Sequence, residues 1–372
     1  MEKELCVMQI IPNLCIGGAE TFVTELALHF PTNARCIVVS LYEPNHTVLE
    51  KKLEESNVKI VFLNKKKGVD FHLLKALRKL IKQYKPDVIN THLYSLTYVV
   101  LATRFMKNKP LIFHTVHNVA NKEATKNKQK LYNWFFHHQH VYPIGISNII
   151  VDSIKERYKL KEVICIENGI NYAKFKGDKL YDNRKYDFIH VGRFSYQKNH
   201  EMLIKAFSEV VKVRSCHLYL VGQGELMPQM KELVKKLDIE DNVTFFGLRS
   251  DVDALLKDSK IFILPSHYEG NPLSLLEAMS SGCATIATPV GGVKDVLKDG
   301  INGYLCENSI NSLAKTMLKC LDNDEKMRKI SEYNISYSAK FDIGEVAKKY
   351  YDVYETKMNN NKKNGRQKYQ AR

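Results

Sequence analysis

The most constraining feature of this chain is an alternation of short β-branched segments with amphipathic helical segments, which occurs in two separate series. The first series runs from Cys6 to Ile166, and the second runs from Asp187 to Leu305. Alternation of this kind is typical of βα units around parallel sheets. The residues between the series are rich in Asn, Gly, Asp and Lys and have neither periodicity. We therefore expect an α/β protein with two Rossmann-like domains joined by a linker.

The domain boundaries follow from these two series. Residues 1–167 are predicted to form the N-terminal Rossmann-like domain, 168–186 the linker and 187–340 the C-terminal Rossmann-like domain. A helical period continues over 341–358, in a helix that could return to the N-terminal domain, and 359–372 has the composition of a basic disordered tail. Ligands of open α/β sheets bind outside the carboxyl ends of the strands. We therefore expect the two parallel sheets to face each other across a binding cleft.

Composition excludes several classes of protein. The chain has 372 residues, 44% hydrophobic and 26% charged, which is typical of a globular protein with two cores. No apolar run reaches the roughly 20 residues of a membrane-spanning helix, and the acidic N-terminus does not resemble a secretory signal. The eight cysteines form no C-x-x-C pair, which excludes a zinc ribbon or a redox motif and suits a reducing compartment. We expect a cytoplasmic protein.

The net charge of +15 is distributed unevenly along the chain. Residues 1–172 carry +9, residues 173–356 carry 0 and residues 357–372 carry +6. Nucleic acid, an anionic membrane surface or an anionic substrate would each explain this excess. A helix predicted at 70–84 follows the basic run Lys65–Lys67 and fits either an ordinary surface helix or an attachment to anionic lipid. Its predicted apolar stripe is Phe71, Leu74, Leu77, Ile81 and Tyr84.

Two turns that follow predicted strands carry residues suited to phosphate binding. Gly17 and Gly18 open a helix after the first strand, where backbone N–H groups can approach an anion at the positive end of the helix. Gly192, Arg193 and Lys198 follow the first strand of the second series and place two cations at one strand end. Such a pair could bind a diphosphate without a metal ion. Each turn alone also fits a plain tight connection or a solvated basic loop.

The segment Pro265–Met279 gives the sharpest signal in the chain. Glu269 lies in a loop after a strand, and Glu277 lies one turn into the helix that begins at Pro272. Both carboxylates can therefore face one cleft, while the backbone at 272–274 offers a helix N-terminus to a phosphate. A carboxylate in this position can accept both hydroxyl groups of a ribose.

These residues fall in motifs that continue along the chain. Glu269 and Glu277 lie in E-G-x-P-x-x-x-x-E-A-M, which is followed by S-G-x-x-x-I-A-T-x-V-G-G at 281–292 and D-G-x-N-G at 299–303. With G-G-A-E at residue 17, N-G-I at 168 and G-R-x-x-x-x-K-N at 192, the pattern resembles the signature of retaining GT-B glycosyltransferases of family 4, especially bacterial capsular and exopolysaccharide enzymes. The resemblance covers about residues 12–355.

The resemblance implies an activity as well as a fold. It implies two Rossmann-like domains, of which the N-terminal one lies on the acceptor side and the C-terminal one binds a nucleotide sugar. The reaction would move a sugar, with retention, from a nucleotide-diphosphate sugar to a glycan acceptor linked to polyprenyl diphosphate, in the synthesis of a cell-surface polysaccharide. UDP is the nucleotide we expect, with no cofactor and no metal. The enzyme would be peripheral at the inner face of the plasma membrane.

The resemblance also implies roles for individual residues. Arg193 and Lys198 would bind the donor diphosphate, Glu277 the ribose, and Glu269 the transferred sugar or the diphosphate. His117, in T-V-H-N after a strand of the first series, would contact the donor sugar. The residues implied as catalytic are therefore His117, Glu269, Arg193 and Lys198. The implied donor-binding residues are Gly17, Gly18, Gly192, Arg193, Lys198, Gly247, Glu269, Gly270, Asn271, Pro272, Leu273 and Glu277.

Three further interpretations stay open at this point. Asp251 and Asp253 spell the D-x-D of metal-dependent glycosyltransferases, but they lie at a predicted helix start and fit capping better. His92 follows a strand and fits either a structural role or a role at the site. A nucleotide-sugar epimerase of the same fold, or a non-catalytic protein that binds nucleic acid or carbohydrate, are the alternative functions. The neutral second half argues against nucleic acid, and the intact motifs argue against a non-catalytic protein.

Overall fold

The structure is a computed structural model that describes residues 4–66, 68 and 70–370, with side chains as far as residue 361. The described residues divide into two compact units. The first unit contains the residues up to Gly169 and those from Ile343 onward, and the second unit contains Ile170–Asp342. Each unit has its own cluster of buried apolar side chains, so each has an independent core.

The first unit is a seven-stranded parallel sheet with the strand order β3-β2-β1-β4-β5-β6-β7. Its central strand β1 is buried along its whole length, as expected for a parallel sheet covered on both faces. The strands are β1 (Leu5–Ile11), β2 (Ala34–Ser40), β3 (Lys59–Phe62), β4 (Val88–His92), β5 (Leu111–Val116), β6 (Val141–Gly145) and β7 (Ile164–Cys165). The helices are α1 (Gly18–Leu28), α2 (Val48–Glu54), α3 (Phe71–Tyr84), α4 (Leu96–Thr103), α5 (Ala120–Glu123), α6 (Lys126–His138) and α7 (Asn148–Tyr158).

The second unit repeats the same construction with six parallel strands in the order β10-β9-β8-β11-β12-β13. Its strands are β8 (Tyr186–Val191), β9 (Leu218–Val221), β10 (Val243–Gly247), β11 (Ser259–Leu264), β12 (Ala284–Ala287) and β13 (Tyr304–Leu305). Its helices are α8 (Tyr172–Phe175), α9 (His200–Val211), α10 (Met227–Lys236), α11 (Val252–Lys257), α12 (Leu273–Ser280), α13 (Val293–Val296), α14 (Ile310–Leu321) and α15 (Asp324–Ser338). Two parallel α/β sheets were predicted, and the structure confirms them.

The last helix, α16 (Ile343–Gln370), belongs to the first unit. Its buried Tyr350 and Tyr354 pack against Phe22 and Phe113 of that unit, with ring centroids 5.9 and 4.7 Å apart. The helix extends through Gln370, over residues whose composition predicts a disordered tail. Once a helix is anchored by packing, the straight-chain Lys, Arg and Gln residues that follow can continue it.

The segment predicted to be a linker also carries regular structure. Residues 172–175 form α8 and 181–183 form a turn of 3₁₀ helix, both inside the second unit. Phe175 and Tyr181 are buried there, and Arg184 is 4% exposed with its guanidinium donating to the carbonyl oxygen of Ser259. Scattered aromatic anchors hold this segment, and such anchors leave no periodic signal.

No helix in the described part of the chain is both long enough and apolar enough to span a membrane.

Candidate functional site

The strand order of each sheet reverses once, and residues singled out from the sequence lie at these reversals. In the first unit the reversal lies between β1 and β4, and in the second between β8 and β11. Gly17 follows β1 and His92 ends β4, whereas Gly192 follows β8 and the Glu269 loop follows β11. Crevices at the carboxyl ends of such strands are where open α/β sheets bind ligands. Each unit therefore presents one candidate cluster, the first-unit cluster and the second-unit cluster.

The centre of the second-unit cluster is an ion pair between Lys198 and Glu269. Lys198 Nζ lies 2.7 Å from Glu269 Oε1, and Ser266 Oγ donates to the same oxygen at 2.6 Å. Gln197 Nε2 donates to Glu269 Oε2 at 3.4 Å. The Glu269 side chain is 5% exposed and that of Lys198 is 16% exposed. The structure thus brings two of the predicted residues together as a buried pair with additional hydrogen bonds, which is the arrangement that makes a buried carboxylate tolerable.

Two glycines of the loop after β12 hold the Glu269 loop by close backbone approach. Gly291 has a φ of +50°, and a Cβ atom built on it would overlap the carbonyl oxygen of Glu269. A Cβ atom on Gly292 would overlap the carbonyl oxygen of Gly270, which accepts the Gly292 N–H at 2.8 Å. The V-G-G sequence is therefore needed because two backbone segments touch at this place.

Arg193 is placed differently from Lys198. Its guanidinium is 72% exposed and donates to Glu225 Oε2 at 3.1 Å. The turn that bears Arg193 packs on the following βα turn, since a Cβ atom on Gly222 would overlap the carbonyl oxygen of Gly192. The G-Q-G-E turn at 222–225 therefore supports the Arg193 turn in two ways. Its Gly222 lets the two backbone segments touch, and its Glu225 supplies the carboxylate that pairs with Arg193.

Helix α12 begins directly after the Glu269 loop. Its N-cap residue is Pro272, and no side chain caps the helix. The sequence-based expectation of N–H donors at 272–274 is wrong at Pro272, because proline has no backbone N–H. The first donors are those of Leu273 and Ser274, which helix geometry leaves without acceptors inside the helix. Glu277 is half-buried on the next turn.

Gly247 ends β10 with a φ of +67°, at a break in the register between β10 and β9. Its carbonyl oxygen accepts the N–H of Gly222 at 2.9 Å, and a Cβ atom on Gly247 would meet nothing within 4 Å. The left-handed backbone rather than crowding therefore favours glycine here.

In the first-unit cluster, Gly17 precedes α1 with an extended backbone, and no side chain caps the helix. A Cβ atom on Gly17 would come within 2.5 Å of Glu20 Oε2, whereas one on Gly18 would meet nothing within 4 Å. Burial raises the pKa of Glu20 above its ordinary value. The G-G-A-E turn is therefore shaped by the carboxylate of its own Glu20, which folds back over Gly17.

His117 follows β5 and is 8% exposed. Its Nε2 lies 3.0 Å from Nδ1 of His92, the last residue of β4, and His92 Nε2 lies 2.9 Å from Gln9 Oε1 on β1. Burial lowers the pKa of His117 to about 3, and burial together with His117 and His114 lowers the pKa of His92 well below its ordinary value. Of the two open interpretations of His92, the direct contact with His117 favours a role at the site.

The loop after His117 is held by Glu123. Glu123 Oε2 accepts the backbone N–H of Asn118 at 3.0 Å. Burial raises the pKa of Glu123 to about 7, although the hydrogen bonds from the backbone at 117 and 118 act in the opposite direction. The backbone at Asn118 is therefore tied to a carboxyl group whose pKa burial raises into the neutral range.

The D-x-D residues take part in ion pairs. Asp251 is the N-cap residue of α11, but its side chain makes no capping hydrogen bond and instead accepts two from Arg249 at 2.8 and 2.6 Å. Asp253 lies 3.2 Å from Lys174 Nζ. Capping by the Asp251 side chain was therefore a wrong expectation, because the adjacent guanidinium competes for the carboxylate. Within the described residues, no group of three or more His, Cys, Asp or Glu could hold a metal ion.

Near α3, the structure differs from the sequence-based prediction in the burial of Lys65 and the exposure of Phe71. Lys65 is 7% exposed, and its ammonium donates to the carbonyl oxygens of Lys66 and Gly68, both at 2.8 Å. Lys67 lies outside the described residues. Phe71, assigned from the sequence to the apolar stripe, is 73% exposed, whereas the helix buries Leu73, Leu77, Leu80 and Ile81. Phe71 is the first helical residue, one position after the Asp70 cap, where the helix has not yet reached the core.

Comparison with known proteins identifies the class of the chain. HepE of Anabaena, in a structure with UDP and glucose, aligns with a TM-score of 0.82 and 17% identity over 95% of this chain and 100% of that chain. A glycosyltransferase of Rickettsia africae aligns with a TM-score of 0.80 and 23% identity, over 95% and 98%. The model of Glycosyltransferase Family 4 matches residues 16–174, and that of Glycosyl transferases group 1 matches residues 172–337. The chain belongs to the GT-B glycosyltransferases.

Relatives of this glycosyltransferase include the following two bacterial proteins. The UDP-Gal:alpha-D-GlcNAc-diphosphoundecaprenol alpha-1,3-galactosyltransferase of Escherichia coli is 28% identical over 282 residues, which are 68% of this chain and 71% of that protein. The GalNAc-alpha-(1->4)-GalNAc-alpha-(1->3)-diNAcBac-PP-undecaprenol alpha-1,4-N-acetyl-D-galactosaminyltransferase of Campylobacter jejuni is 27% identical over 352 residues, 91% of this chain and 94% of that protein. The predicted GT-B fold and the prediction that the chain is a glycosyltransferase are confirmed.

Several residues of the glycosyltransferase's two clusters were not found from the sequence. Ser266 and Gln197 are within three residues of predicted site residues, so proximity to Glu269 and Lys198 could have suggested them. Glu123 follows the His117 loop but belongs to no motif. Gln9 comes from a strand with a single polar residue in an apolar run, and that exception was its only signal.

Proposed function

We propose that this glycosyltransferase moves a sugar from a UDP-sugar to a glycan acceptor linked to polyprenyl diphosphate, with retention and without a metal ion, in the synthesis of a cell-surface polysaccharide. The buried Lys198–Glu269 pair next to the N-terminus of α12 carries this proposal. The names of the relatives give further support. The Escherichia coli relative is named for UDP-Gal and a diphosphoundecaprenol acceptor, the Campylobacter jejuni relative for a PP-undecaprenol acceptor, and HepE is complexed with UDP.

Departure of the donor diphosphate is the step that the second-unit cluster suits. Negative charge develops on the diphosphate as its bond to the sugar breaks, and cations fixed in advance stabilise that charge. Lys198 is held in place by Glu269, and Leu273 and Ser274 begin a helix whose positive end attracts phosphate. Arg193 is exposed and can turn from Glu225 toward an incoming phosphate. We assign the diphosphate to these residues.

The remaining donor groups fall to neighbouring residues. Glu277, half-buried on the second turn of α12, would accept the ribose hydroxyl groups. The backbone around Gly247 would contact the nucleobase. Glu269, with the adjoining Gly270 and Asn271, would contact the transferred sugar or the diphosphate. In the first-unit cluster, Gly17 and Gly18 would approach the phosphates and His117 would contact the sugar. These assignments follow the family resemblance.

Retention is proposed to proceed by substitution on one face of the sugar. A double displacement would need a carboxylate nucleophile, and the Glu269 carboxylate is made a weaker one by its ion pair with Lys198 and its hydrogen bonds from Ser266 and Gln197. We therefore propose that the acceptor oxygen bonds to the anomeric carbon as the carbon–phosphate oxygen bond breaks. The acceptor proton passes to the departing phosphate oxygen, so no protein base is required.

Transfer is tested by incubating the enzyme with UDP-sugars and a short-chain polyprenyl diphosphate-linked glycan, with EDTA present. We expect UDP release equal to the amount of glycoside formed, an anomeric configuration equal to that of the donor by NMR, and no loss of rate with EDTA. Inversion would contradict the single-face mechanism, and dependence on added Mg²⁺ would contradict metal independence. Conversion of the UDP-sugar without acceptor would indicate the epimerase alternative.

We further propose that the first unit binds the inner face of the plasma membrane, and we propose the end of α4 as the surface that does so, since the Lys65 ammonium is taken up by its own loop. Leu101, Phe105 and Trp134 are exposed by 42%, 76% and 37%. The Arg104 guanidinium lies over the rings of Phe105 and Trp134, at 5.5 and 5.9 Å from their centroids. Aromatic and cationic side chains on one surface suit the interface of an anionic bilayer.

Co-sedimentation with anionic and neutral vesicles tests this surface. Wild type should sediment with anionic vesicles and be released by salt, because screening limits the reach of these charges to about 8 Å at physiological ionic strength. Phe105→Ser with Trp134→Ser should abolish sedimentation. The control is Val213→Ser, at an exposed position of the second unit. Equal sedimentation of the double variant and wild type would rule out this surface.

A further inference from the structure

His92 is the middle member of a buried chain of side chains that ends at His117. Gln9, His92 and His117 come from or directly follow the neighbouring strands β1, β4 and β5. The contacts are 2.9 Å from Gln9 Oε1 to His92 Nε2 and 3.0 Å from His92 Nδ1 to His117 Nε2. Gln9 and His92 are fully buried, so water does not compete for these atoms.

The backbone that carries the His92 ring is fixed by hydrogen bonds with Ser95. Ser95 Oγ accepts the His92 N–H at 3.1 Å, and its single O–H lies 2.8 Å from the carbonyl oxygens of both Ile10 and His92, which share it as acceptors. Leu93, directly after His92, has a φ of +53°. A left-handed conformation in a branched apolar residue is unfavourable and occurs most often where function requires a fixed geometry.

Both rings are neutral because burial disfavours the imidazolium ion, as the lowered pKa values of His92 and His117 show. A neutral imidazole has one N–H and one acceptor nitrogen. Since the two rings meet nitrogen to nitrogen, one of them donates and the other accepts. Nδ1 of His117 is the nitrogen left for a ligand in either case, and the direction of this single hydrogen bond decides whether that Nδ1 is an acceptor or carries the proton and donates.

Gln9 and Asn90 compete to set that direction at His92 Nε2. Gln9 offers a carbonyl oxygen at 2.9 Å, whereas Asn90 offers its amide nitrogen at a longer 3.2 Å and uses its own oxygen to accept from Thr115 Oγ1 at 3.1 Å. We take the shorter contact to set the direction, so that His92 Nε2–H donates to Gln9 Oε1 with the Gln9 amide oriented as it is in the structure. His92 Nδ1 is then an acceptor, and His117 Nε2–H donates to it.

We propose that Gln9 and His92 are positioning residues that keep the proton of His117 on Nε2, so that Nδ1 of His117 is a fixed hydrogen-bond acceptor for a hydroxyl group of the donor sugar. No described group of the protein hydrogen-bonds His117 Nδ1, and the residue keeps 8% exposure. The part concerning the sugar rests on the proposed function, whereas the proton position is a property of the free protein. In this state Nδ1 of His117 accepts a hydrogen bond from a hydroxyl group, and His117 does not donate a proton to the substrate.

The proton position is tested first, without substrate. Two-bond ¹H–¹⁵N NMR spectra distinguish the two neutral forms of histidine, and His117→Gln assigns the signal among the 13 histidines. We expect the proton on Nε2 in wild type and in the control Thr115→Val, which removes a buried hydroxyl group of the same network. Gln9→Met leaves only the Asn90 amide nitrogen at His92 Nε2 and should shift the proton of His117 toward Nδ1, whereas Gln9→Glu should keep it on Nε2. A proton on Nδ1 in wild type, or a Gln9→Met spectrum unchanged from wild type, would overturn the proposal.

The effect on transfer is tested by a double-mutant cycle. Gln9→Met should lower kcat by about 10-fold, the usual effect of one hydrogen bond, and leave the Kd for UDP unchanged. If Gln9 acts through His117, the same substitution should have no further effect in a His117→Ala background. Additive effects of the two substitutions would overturn the positioning role. An unchanged kcat in His117→Ala would reject the sugar contact and leave the proton position standing.

Discussion

The second-unit cluster is charged, whereas the first-unit cluster is largely neutral. Around Glu269, opposite charges are 2.7 Å apart and are fixed by short loops at the strand ends. Around His117, the partners are an uncharged imidazole and an amide from two other strands. Fixed charges suit a group on which charge develops, and fixed neutral acceptors suit a hydroxyl group that only needs orientation. We therefore propose that the second-unit cluster stabilises the developing charge and that the first-unit cluster orients the sugar.

Removing Lys198 should produce the largest effect. A small effect would contradict the proposed difference between the charged and the neutral cluster. Lys198→Ala removes a cation from the proposed diphosphate site and leaves Glu269 buried without its ion pair. We expect transfer to fall about 10²- to 10³-fold, as for loss of one oxyanion donor, and the free energy of unfolding to fall by about 3 kcal/mol. Steady-state kinetics and urea unfolding measure the two effects.

The matched control for this change is Lys205→Ala, in α9 and seven residues after Lys198, which breaks an exposed ion pair with Glu201. It should change transfer and stability little, because exposed pairs contribute about 0–1 kcal/mol. If Lys198→Ala retained wild-type transfer while folding normally, the charged character of the second-unit cluster would have no catalytic meaning.

Gly291→Ala tests whether backbone crowding supports the charged cluster. The new Cβ atom would overlap the carbonyl oxygen of Glu269, so the Glu269 loop must shift. We expect a loss of about 3 kcal/mol in the free energy of unfolding and a loss of transfer. Gly300→Ala separates conformation from crowding, because Gly300 also has a positive φ, +72°, but a Cβ atom there meets nothing within 4 Å. Gly300→Ala should cost only about 1 kcal/mol. Equal losses would show that crowding is unimportant.

The same contrast explains what could be predicted from the sequence. Glu269, Glu277 and the glycines belong to local motifs, because the second-unit cluster is built from short loops at strand ends. The Gln9–His92 contact joins residues 83 positions apart, and it depends on which strands are neighbours, which no local pattern encodes. The exposure of individual side chains was the property that the sequence predicted least well. Lys65 appeared to belong to a solvated run, but carbonyl groups of its own loop enclose its ammonium.

Glu277→Ala tests whether Glu277 and Glu269 have different roles in the second unit. If Glu277 accepts the ribose hydroxyl groups, its loss should weaken UDP and UDP-sugar binding alike by about 10- to 100-fold, because hydrogen bonds to a charged group contribute about 1.5–3 kcal/mol. Glu269→Ala should instead lower kcat more than it weakens UDP binding. Calorimetric titration with UDP gives both affinities. Unchanged affinity in Glu277→Ala would remove the ribose role.

The smallest effect is expected at Glu123, a carboxyl group at the neutral cluster. Its folded-state pKa of about 7 lies above the ordinary value of 4.5, so the folded protein binds more protons than the unfolded chain between these pH values. The contribution of Glu123 to stability is therefore complete below about pH 4.5 and is lost as the pH rises through 7. Glu123→Gln keeps an oxygen that can accept the Asn118 N–H but cannot ionise. Relative to wild type, it should gain about 1–2 kcal/mol in the free energy of unfolding between pH 5.5 and pH 8.5. The exposed Glu162→Gln is the control and should show a constant difference. A constant difference for Glu123→Gln as well would mean that Glu123 is already ionised in the folded protein at pH 5.5, and the first-unit cluster would then contain a buried charge after all.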